Sequence, residues 1–340
     1  MMSTRVVCFG ELLLRLGAPG RELLLQSPQL DVHIGGAEAN VAVSLAKFGH
    51  EAALISVIPD NSLGTAAVAE IRKHGVDTRR VSTAPGRMGL YFLTQGAMQR
   101  PSEVIYDRAA SAFASVDPVH FDWQQLLIGA DWLHVSGVTP ALGERAAKAA
   151  IEAVQTAHRL GVQVSFDGNF RPKLWQAWQG HAPGILRQVM NEADVMFADH
   201  RDMAVVLETD FPQANTQAQI EAAAKAAFNA FQRLEKFATT IRVQHSVDHH
   251  SLSAMMLTRD GSVYYAQAME LASIVDRIGA GDAFAAGVLH GLISQMGDEN
   301  SLRFGLAAAC LKHSINGDFN LIGVDDVAAC AAEERLDVRR

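Results

Sequence analysis

Short apolar runs alternate with amphipathic helical runs along most of this chain, and the alternation restricts the folds open to it. Each apolar run is long enough for one buried strand, and each helical run repeats its apolar residues at a helical period. Strands separated by helices predict an α/β fold with a mainly parallel sheet and helices on both faces. The predicted strands are 5–9, 53–58, 132–135, 162–166, 195–198 and 240–244. The predicted helices include 63–74, 144–160, 217–236, 282–296 and 301–314.

Two segments break the alternation, because they hold strand-like runs with no helix between them. They cover about residues 11–34 and 87–111. We interpret them as a small antiparallel β lid that projects from the main sheet of a single domain, residues 1–340. The edge strands of such a lid are exposed and suit pairing with a second subunit, so the pattern favours a homodimer formed through the lid.

Composition excludes several classes of protein. Hydrophobic residues make up 49% of the 340 residues and charged residues 19%, which predicts a sizeable core rather than disorder. A net charge of −8 argues against a nucleic-acid surface. Cys8, Cys310 and Cys330 are too few for a disulfide framework, which favours a reducing cytoplasm. The sequence shows no signal-peptide pattern and no apolar stretch near the ~20 residues that span a bilayer, so we expect a cytoplasmic protein without a membrane partner.

One glycine-rich segment suggests a site that binds an anion next to a carboxylate. Gly279 and Gly281 stand directly before Asp282, where a long helical run begins. Glycines let the backbone approach a bulky anion, and a helix start offers unpaired N–H groups that favour a phosphate. An anion cradle beside a carboxylate is what phosphoryl transfer to a hydroxyl requires. Aspartate is also a favoured N-cap residue, so this segment alone fits a plain helix start equally well.

A second glycine pair lies far upstream. Gly35 and Gly36 precede Asn40 and a predicted helix that Gly49 ends. The apolar residues of that helix fall on one face: Val41, Leu45 and Phe48. A glycine pair before a helix can hold a small ligand against the backbone, although a simple loop–helix junction has the same pattern.

The two glycine segments, at these chain positions, resemble the signature regions of ribokinase-like sugar kinases, the phosphofructokinase B family. The resemblance covers nearly the whole chain. It implies a ribokinase-like fold and an ATP-dependent kinase in which Mg²⁺ accompanies ATP, and it leaves a monovalent cation open. It implies Asp282 as the general base, with Gly279, Ala280 and Gly281 presenting N–H groups to the charge that develops on the phosphate.

Four further segments resemble 2-keto-3-deoxygluconate kinases in particular. They read YDRAASAFA at 106–114, HVSGVTPAL at 134–142, FDGNFRPKLW at 166–175, and LKHS followed by GDFN at 311–320. The resemblance implies phosphorylation of the terminal C6 hydroxyl of 2-keto-3-deoxy-D-gluconate. It also implies that Gly35, Gly36 and Asn40 line the sugar pocket and that Gly137 or Val138 forms a wall of it.

Two arginines and two tyrosines suit an acidic sugar. Arginine presents a planar fork that matches a carboxylate, and the candidates are Arg108 in the lid and Arg171 beyond a strand end. Tyr91 and Tyr106 can bond to hydroxyl or keto oxygens. Each of these residues taken alone is more typical of surface or core. Because a neutral sugar needs no carboxylate clamp, a fructokinase, a ribokinase or a 5-keto-2-deoxygluconate kinase stays open.

The nucleotide side departs from the family pattern. Where many relatives carry N-x-x-E, this chain reads Asp199-His200-Arg201-Asp202, so Asp202 alone keeps a carboxylate. The usual glycine-rich nucleotide loop is missing, and residues 245–254 stand in its place. We interpret that segment as a loop on the nucleotide side. The residues assigned to ATP are Asn169, Asp202, His245, Asp276, Gly279, Gly281 and Asn316.

Three other functions fit the sequence less well. A zinc site of His245, His249 and His250 is disfavoured, because no cysteine lies nearby and the spacing fits no known closed site. A dinucleotide-dependent dehydrogenase needs G-x-G-x-x-G after the first strand, which the residues from Gly10 onward do not supply. The altered nucleotide loop suggests a non-catalytic sugar sensor, but the intact segment from Gly279 to Asp282 argues against one.

Overall fold

In a computed structural model, residues 4–332 of the chain are described. The strands are β1 (Arg5–Phe9), β2 (Leu13–Gly17), β3 (Asp31–Gly35), β4 (Glu51–Pro59), β5 (Val81–Ala84), β6 (Gly89–Thr94), β7 (Glu103–Asp107), β8 (Trp132–Ser136), β9 (Gln163–Asp167), β10 (Val195–Phe197), β11 (Lys236–Gln244), β12 (His249–Thr258) and β13 (Val263–Ala272).

The helices that join these strands are α1 (Ala37–Lys47), α2 (Ser62–Lys73), α3 (Ala112–Ser115), α4 (Trp123–Leu126), α5 (Glu144–Arg159), α6 (Pro172–Trp178), α7 (Ala182–Met190), α8 (His200–Leu207), α9 (Thr216–Ala230), α10 (Ala280–Ile293), α11 (Asp298–Lys312) and α12 (Val324–Ala331). Within residues 4–332, none of the helices combines the length and the apolar character that a membrane crossing requires.

A nine-stranded sheet runs through the centre in the order β13-β12-β11-β10-β9-β8-β1-β4-β5. Every neighbouring pair from β11 to β5 is parallel, and β12 and β13 add an antiparallel edge. Alternate residues of β1 point to opposite faces of the sheet. Val7 and Phe9 pack in the core between the sheet and the helices α5 and α7. Val6 and Cys8 pack with the core beneath α1, α10 and α11. The predicted α/β fold with both faces covered is confirmed.

A separate four-stranded sheet forms the lid, in the order β3-β2-β6-β7. The outer pairs, β2–β3 and β6–β7, are antiparallel as predicted. The central pair, β2–β6, is parallel, which differs from the fully antiparallel lid that was predicted. β2 and β6 belong to two separate segments of the chain that leave the main sheet and run through the lid in the same direction. The lid therefore joins the two segments that the sequence set apart from the main alternation.

Some predicted boundaries were wrong. The predicted helix 217–236 ends at Ala230, and β11 begins at Lys236. The overrun arose because Phe228, Phe231 and Leu234 are all buried at a spacing of three, which continues the helical period beyond the helix. The helix predicted from residue 282 begins two residues earlier, at Ala280.

The segment 245–254 is a strand for most of its length, so the prediction of a loop there was wrong. β12 begins at His249 and pairs antiparallel with both β11 and β13. Its buried residues His250, Leu252 and Ala254 alternate with more exposed neighbours. This is a strand period of two, and a histidine at a core position disguises it.

Candidate active site

A cleft of about 820 Å³ opens between the lid and the carboxyl ends of the central strands. Tyr91 of β6 and Tyr106 of β7 line its lid side. Asp167 and Phe197, the last residues of β9 and β10, line the sheet side. Ligands of open parallel sheets bind beyond the carboxyl ends of strands, which is where this cleft lies.

Asp282 lies in the first turn of α10 at this cleft. Its Oδ2 accepts a hydrogen bond of 2.6 Å from Nδ2 of Asn40 on α1. Burial raises the pKa of Asp282 to about 7 despite that hydrogen bond, and the carboxylates of Glu38 and Asp318 add to the rise. A carboxyl group that titrates near neutral pH suits general-base catalysis.

The glycines beside Asp282 leave room for a ligand against the backbone. Gly279 has φ +80°, and a Cβ atom there would lie 2.0 Å from the backbone oxygen of Asp318. The first bond of the helix ladder runs from the Ala283 N–H to the Gly279 oxygen, so the N–H groups of Gly281 and Asp282 precede it. A Cβ atom added at Gly281 would meet open space, which leaves that part of the cleft free for a ligand.

A buried ionic network joins the lid to the segment that leads into Gly279. The Arg15 guanidinium on β2 lies 2.7 Å from Oδ2 of Asp276 and 3.1 Å from Oδ1 of Asp318. The Tyr91 hydroxyl on β6 donates to Oδ2 of Asp318 at 2.7 Å. Lys312 is buried beside them, and burial lowers its pKa to about 8. We call these five residues the lid network.

The lid network changes the position expected for Asp276. Its Oδ1 accepts from the backbone N–H of Ile278 at 3.0 Å, and its Oδ2 accepts from Arg15 and from the N–H of Gly317. The side chain is buried and does not line the cleft, so this position does not favour its assignment to ATP, which stays a prediction. Arg15 was missed in the sequence, where the signal was one charged residue inside the apolar run 12–16.

Most of the other predicted residues come together around the cleft. Those that line it are Gly36, Asn40, Tyr91, Tyr106, Arg108, Val138, Asn169, Arg171, Asp202, Gly279, Gly281 and Asp282. They come from the lid segment 87–111, from the start of α1, from the strand ends and from the start of α10, which are distant in sequence. Asn169 has a left-handed backbone with φ +39°, which turns the chain sharply after β9.

Five more predicted residues do not line the cleft, and close packing or position explains each. A Cβ atom at Gly35 would lie 2.2 Å from Oδ2 of Asp318, and one at Gly137 would lie 2.1 Å from the Gly168 oxygen. Both glycines therefore leave room for neighbouring groups. Ala280 is buried in the first turn of α10. His245 bonds to Ser251 on the exposed hairpin, and Asn316 lines a smaller cavity beside Arg15.

The two candidate arginines differ in their surroundings. Arg108 is buried and its Nε donates to Oε2 of Glu11 at 2.6 Å, so its charge is already balanced. Glu11 also accepts from the Ser111 hydroxyl, which fixes the pair. Arg171 is exposed and its Nη1 donates to the Phe170 oxygen at 3.1 Å, a neutral partner. Arg171 is therefore the freer cation of the two.

Two carboxyl groups lie on the sheet side of the cleft. Burial raises the pKa of Asp167 well above its ordinary range, with Asp282 and Asp202 adding to the rise. Burial and the charge of Asp199 raise the pKa of Asp202 to about 6. Asp202 also forms a capping box with Asp199 at the start of α8. Two half-buried carboxyl groups that line one cleft are suited to a hard divalent cation, so these side chains fit Mg²⁺.

Three arginines that the sequence reasoning missed also line the cleft: Arg201, Arg242 and Arg277. Burial and the charges of Arg277 and Arg201 lower the pKa of Arg242. Among residues 4–332, no carboxylate lies within ion-pair distance of Arg242 or Arg277, whereas Arg201 pairs with Asp199. We call them the arginine cluster, and its excess positive charge suits a polyanion. No local sequence pattern indicates the arginine cluster, because its three members are far apart in sequence.

Comparison with known proteins gives consistent matches over the whole chain. The sequence profile of the pfkB family carbohydrate kinases matches residues 3–318. A 2-dehydro-3-deoxygalactonokinase of Haloferax volcanii is 34% identical over 326 residues, covering 96% of each chain. A 2-dehydro-3-deoxygluconokinase of Thermoproteus tenax is 28% identical and covers 92% of this chain and 89% of its own. The crystal structure of a 2-dehydro-3-deoxygluconokinase from Thermotoga maritima matches with a TM-score of 0.91 at 36% identity, covering 97% of this chain and 99% of that one.

Proposed function

This chain belongs to the pfkB family of carbohydrate kinases, and from that premise we propose that it phosphorylates the C6 hydroxyl of 2-keto-3-deoxy-D-gluconate with ATP. The observation that carries the proposal is the carboxyl group of Asp282, which is buried, bonded to Asn40 and next to the open backbone of Gly281. The relatives named as kinases of 2-dehydro-3-deoxy sugar acids support the choice of substrate.

Asp282 would act as the general base. Its carboxylate accepts the proton of the C6 hydroxyl as the hydroxyl oxygen attacks the γ-phosphorus of ATP. The bond from that phosphorus to the bridging oxygen breaks, and ADP leaves with the electron pair. The N–H groups of Gly281 and Asp282 stabilise the negative charge on the transferred group. Asn40 holds the carboxylate in position for the proton.

The sugar acid would lie between the lid and α1. Arg171 would pair with the carboxylate of the sugar acid, and Arg108 would donate from the guanidinium N–H groups that do not bond to Glu11. Tyr106 and the backbone at Gly36 bound the pocket. Tyr91 acts indirectly, because its hydroxyl is already bonded to Asp318.

The triphosphate would lie against the arginine cluster. Mg²⁺ accompanies ATP and neutralises part of the phosphate charge, and Asp167 and Asp202 are the carboxyl groups in reach of the cleft that would hold it. The resemblance leaves a requirement for a monovalent cation open. The test measures kcat with Mg-ATP prepared without Na⁺ or K⁺, before and after K⁺ is added.

A second candidate is a kinase of a neutral or epimeric sugar. The Arg108–Glu11 ion pair favours a neutral sugar, because a balanced arginine is no longer a free charge for a substrate carboxylate. The Haloferax volcanii relative adds the galacto epimer of the keto-deoxy acid to the candidates.

The decisive assay measures ADP release from Mg-ATP with 2-keto-3-deoxygluconate, its galacto epimer, 5-keto-2-deoxygluconate, fructose and ribose in parallel. Turnover confined to the keto-deoxy acids supports the proposal, and the ratio of the two epimers sets the stereochemistry. Preferred turnover of fructose or ribose contradicts it. Arg171→Met should raise KM for the acid about tenfold or more, whereas Arg79→Met, outside the cleft, should leave KM unchanged.

Asp282→Asn tests the base itself. Asparagine keeps the shape of the side chain but cannot accept a proton, so we expect kcat to fall by about 10²–10⁴-fold. Binding of ATP, measured by calorimetry, should persist. A variant with near-normal kcat would remove Asp282 from the reaction.

A further inference from the structure

The outer end of the β11–β13 sheet edge gathers two histidines and a glutamate. A ring nitrogen of His245, a ring nitrogen of His249 and a carboxylate oxygen of Glu270 all lie within 4.8 Å of one another. His245 and Glu270 are exposed, and none of the three lines the catalytic cleft. The cluster is therefore separate from the site that the kinase reaction uses.

The strand register explains why these side chains meet. Ser251 of β12 lies opposite Val243 of β11 and Glu270 of β13. His249 is two residues before Ser251 and shares its face, and His245 is two residues beyond Val243. His250 points to the other face and is fully buried there. The set is thus two histidines and one glutamate, rather than the three histidines that are neighbours in sequence.

Hydrogen bonds already link the three side chains. Nε2 of His249 lies 3.0 Å from Oε2 of Glu270, and Nε2 of His245 lies 2.6 Å from the Ser251 hydroxyl. That hydroxyl donates to Oε1 of Glu270 at 2.6 Å. Hydrogen bonds thus hold the nitrogen and oxygen atoms close together, at positions where a bound cation could replace the shared protons. Ser251 orients the glutamate from outside the set, as residues around metal ligands commonly do.

We propose that His245, His249 and Glu270 bind a divalent transition-metal ion, with Zn²⁺ as the best match. Two imidazole nitrogens and one carboxylate are a ligand set found in zinc sites, with water in the remaining position. Imidazole ligands favour Zn²⁺, Cu²⁺ and Ni²⁺ over Mg²⁺, so the Mg²⁺ that accompanies ATP does not compete effectively.

A bound ion would fasten the end of the hairpin next to the lid. The turn between His245 and His249 contains Asp248, which pairs with Arg21 at 2.9 Å. The backbone oxygen of Asp248 also accepts a hydrogen bond of 3.0 Å from the backbone N–H of Ile274. Ile274 lies shortly before the segment that leads to Gly279. The ion stabilises the folded chain because the unfolded chain does not bring the three ligands together.

The test uses the full chain without nucleotide. Calorimetry with ZnCl₂ and visible absorption with CoCl₂ should each report one ion per chain. His249→Ala and Glu270→Gln should each weaken binding by about tenfold or more. The matched control is His158→Ala, which removes an exposed histidine bonded to a single glutamate, Glu192, and should leave affinity unchanged. Zn²⁺ should raise the Tm of the parent and of the control, but not that of His249→Ala.

Three results would overturn the proposal. One is equal affinity in the parent, His249→Ala and Glu270→Gln. Another is a loss of binding in His158→Ala comparable to that in His249→Ala. The third is a sulfur-to-cobalt charge-transfer band that disappears in Cys330→Ser, because it would place the ion on thiols. Circular dichroism of each variant at low temperature separates loss of the ligand from loss of the fold.

Discussion

At the scale of single residues, the proposed role of Asp282 as general base makes the reaction rate depend on the protonation of its carboxyl group. The pKa of about 7 predicts that kcat/KM rises as the pH increases through 7, because only the carboxylate accepts a proton. Asn40→Ala removes a hydrogen bond that lowers this pKa, so we expect the midpoint to move to higher pH. A pH–rate profile of both proteins checks the shift, and identical midpoints would contradict it.

The same carboxyl group affects stability. The pKa of Asp282 in the folded protein lies above its ordinary value of 3.8, so the folded chain keeps this proton to a higher pH than the unfolded chain. The contribution of the protonated carboxyl to the free energy of unfolding is complete below about pH 4 and is lost as the pH rises through 7. Asp282→Asn should therefore be more stable than the parent at pH 8, by an amount on the order of 1–4 kcal/mol.

Urea unfolding of the two proteins at pH 8 and near pH 4 measures this difference. The gap in the free energy of unfolding should narrow at the lower pH, because the folded parent no longer buries a charge there and the unfolded carboxyl is already about half protonated. An asparagine variant that is less stable than the parent at pH 8 would show that burial of the charge is not costly.

Gly279 offers a test of the backbone at the anion site. Gly279→Ala places a Cβ atom 2.0 Å from the Asp318 oxygen in a backbone with φ +80°, so the loop must move. We expect loss of most turnover together with lower stability. Gly261→Ala is the control, since φ is +91° there but no atom lies within 4 Å. Equal effects of the two variants on kcat would contradict a specific role for the loop.

Sequence reasoning found the residues whose signal is local. Asp282 and Asn40 were identified because each stands beside glycines at a helix start, and the structure joins them by a hydrogen bond across 242 positions. The bond between Asp276 and Arg15 had no local signal, because the two residues are 261 positions apart. Arg242 was missed for a similar reason, since nothing near it in sequence indicates that it faces a cleft.

At the scale of elements, the lid network fixes two lid strands to the catalytic segment. Arg15→Met would leave the carboxylates of Asp276 and Asp318 buried without their cation. We expect the free energy of unfolding to fall by about 3–5 kcal/mol. Arg21→Met breaks an exposed ion pair with Asp248 and should cost about 0–1 kcal/mol.

Urea unfolding of both arginine variants measures the two costs. Adding Asp318→Asn to Arg15→Met should recover part of the lost stability, because one of the two unpaired charges is removed. Equal costs for Arg15→Met and Arg21→Met would show that the network contributes no more than a surface ion pair.

Strands and helices were predictable where burial and period agreed. β1 was predicted with its observed bounds, because Val6, Val7, Cys8 and Phe9 form an unbroken buried run. β12 and β13 were not predicted. Seven of the ten residues of β12 are buried, but a histidine, His250, occupies a core position, and β13 has a single buried residue, Ala266. The pattern of an edge hairpin is weaker than that of a central strand, since only one face of it is apolar.

At the scale of the whole molecule, the lid has two free edges, β3 and β7. Val32 on β3 is 58% exposed and Ile105 on β7 is 46% exposed, so apolar side chains accompany unpaired backbone. We expect a homodimer formed through the lid, as the sequence suggested. Sedimentation velocity should give a dimer for the parent and a monomer for Val32→Lys.

The control for that experiment lies outside the lid. Val119 is also an exposed valine, and Val119→Lys should leave the dimer intact. A monomeric parent at micromolar concentration, or equal dissociation in both variants, would contradict assembly through the lid.

The arginine cluster has a practical consequence for work on this protein. Arg242 and Arg277 lie in the cleft with no carboxylate within ion-pair distance among residues 4–332, so the empty enzyme attracts whatever small anion the solution supplies. Inorganic phosphate and sulfate should therefore compete with the nucleotide. The apparent KM for ATP should be higher in phosphate buffer than in a zwitterionic buffer of equal ionic strength, and crystals grown from ammonium sulfate should hold an anion where the triphosphate would bind.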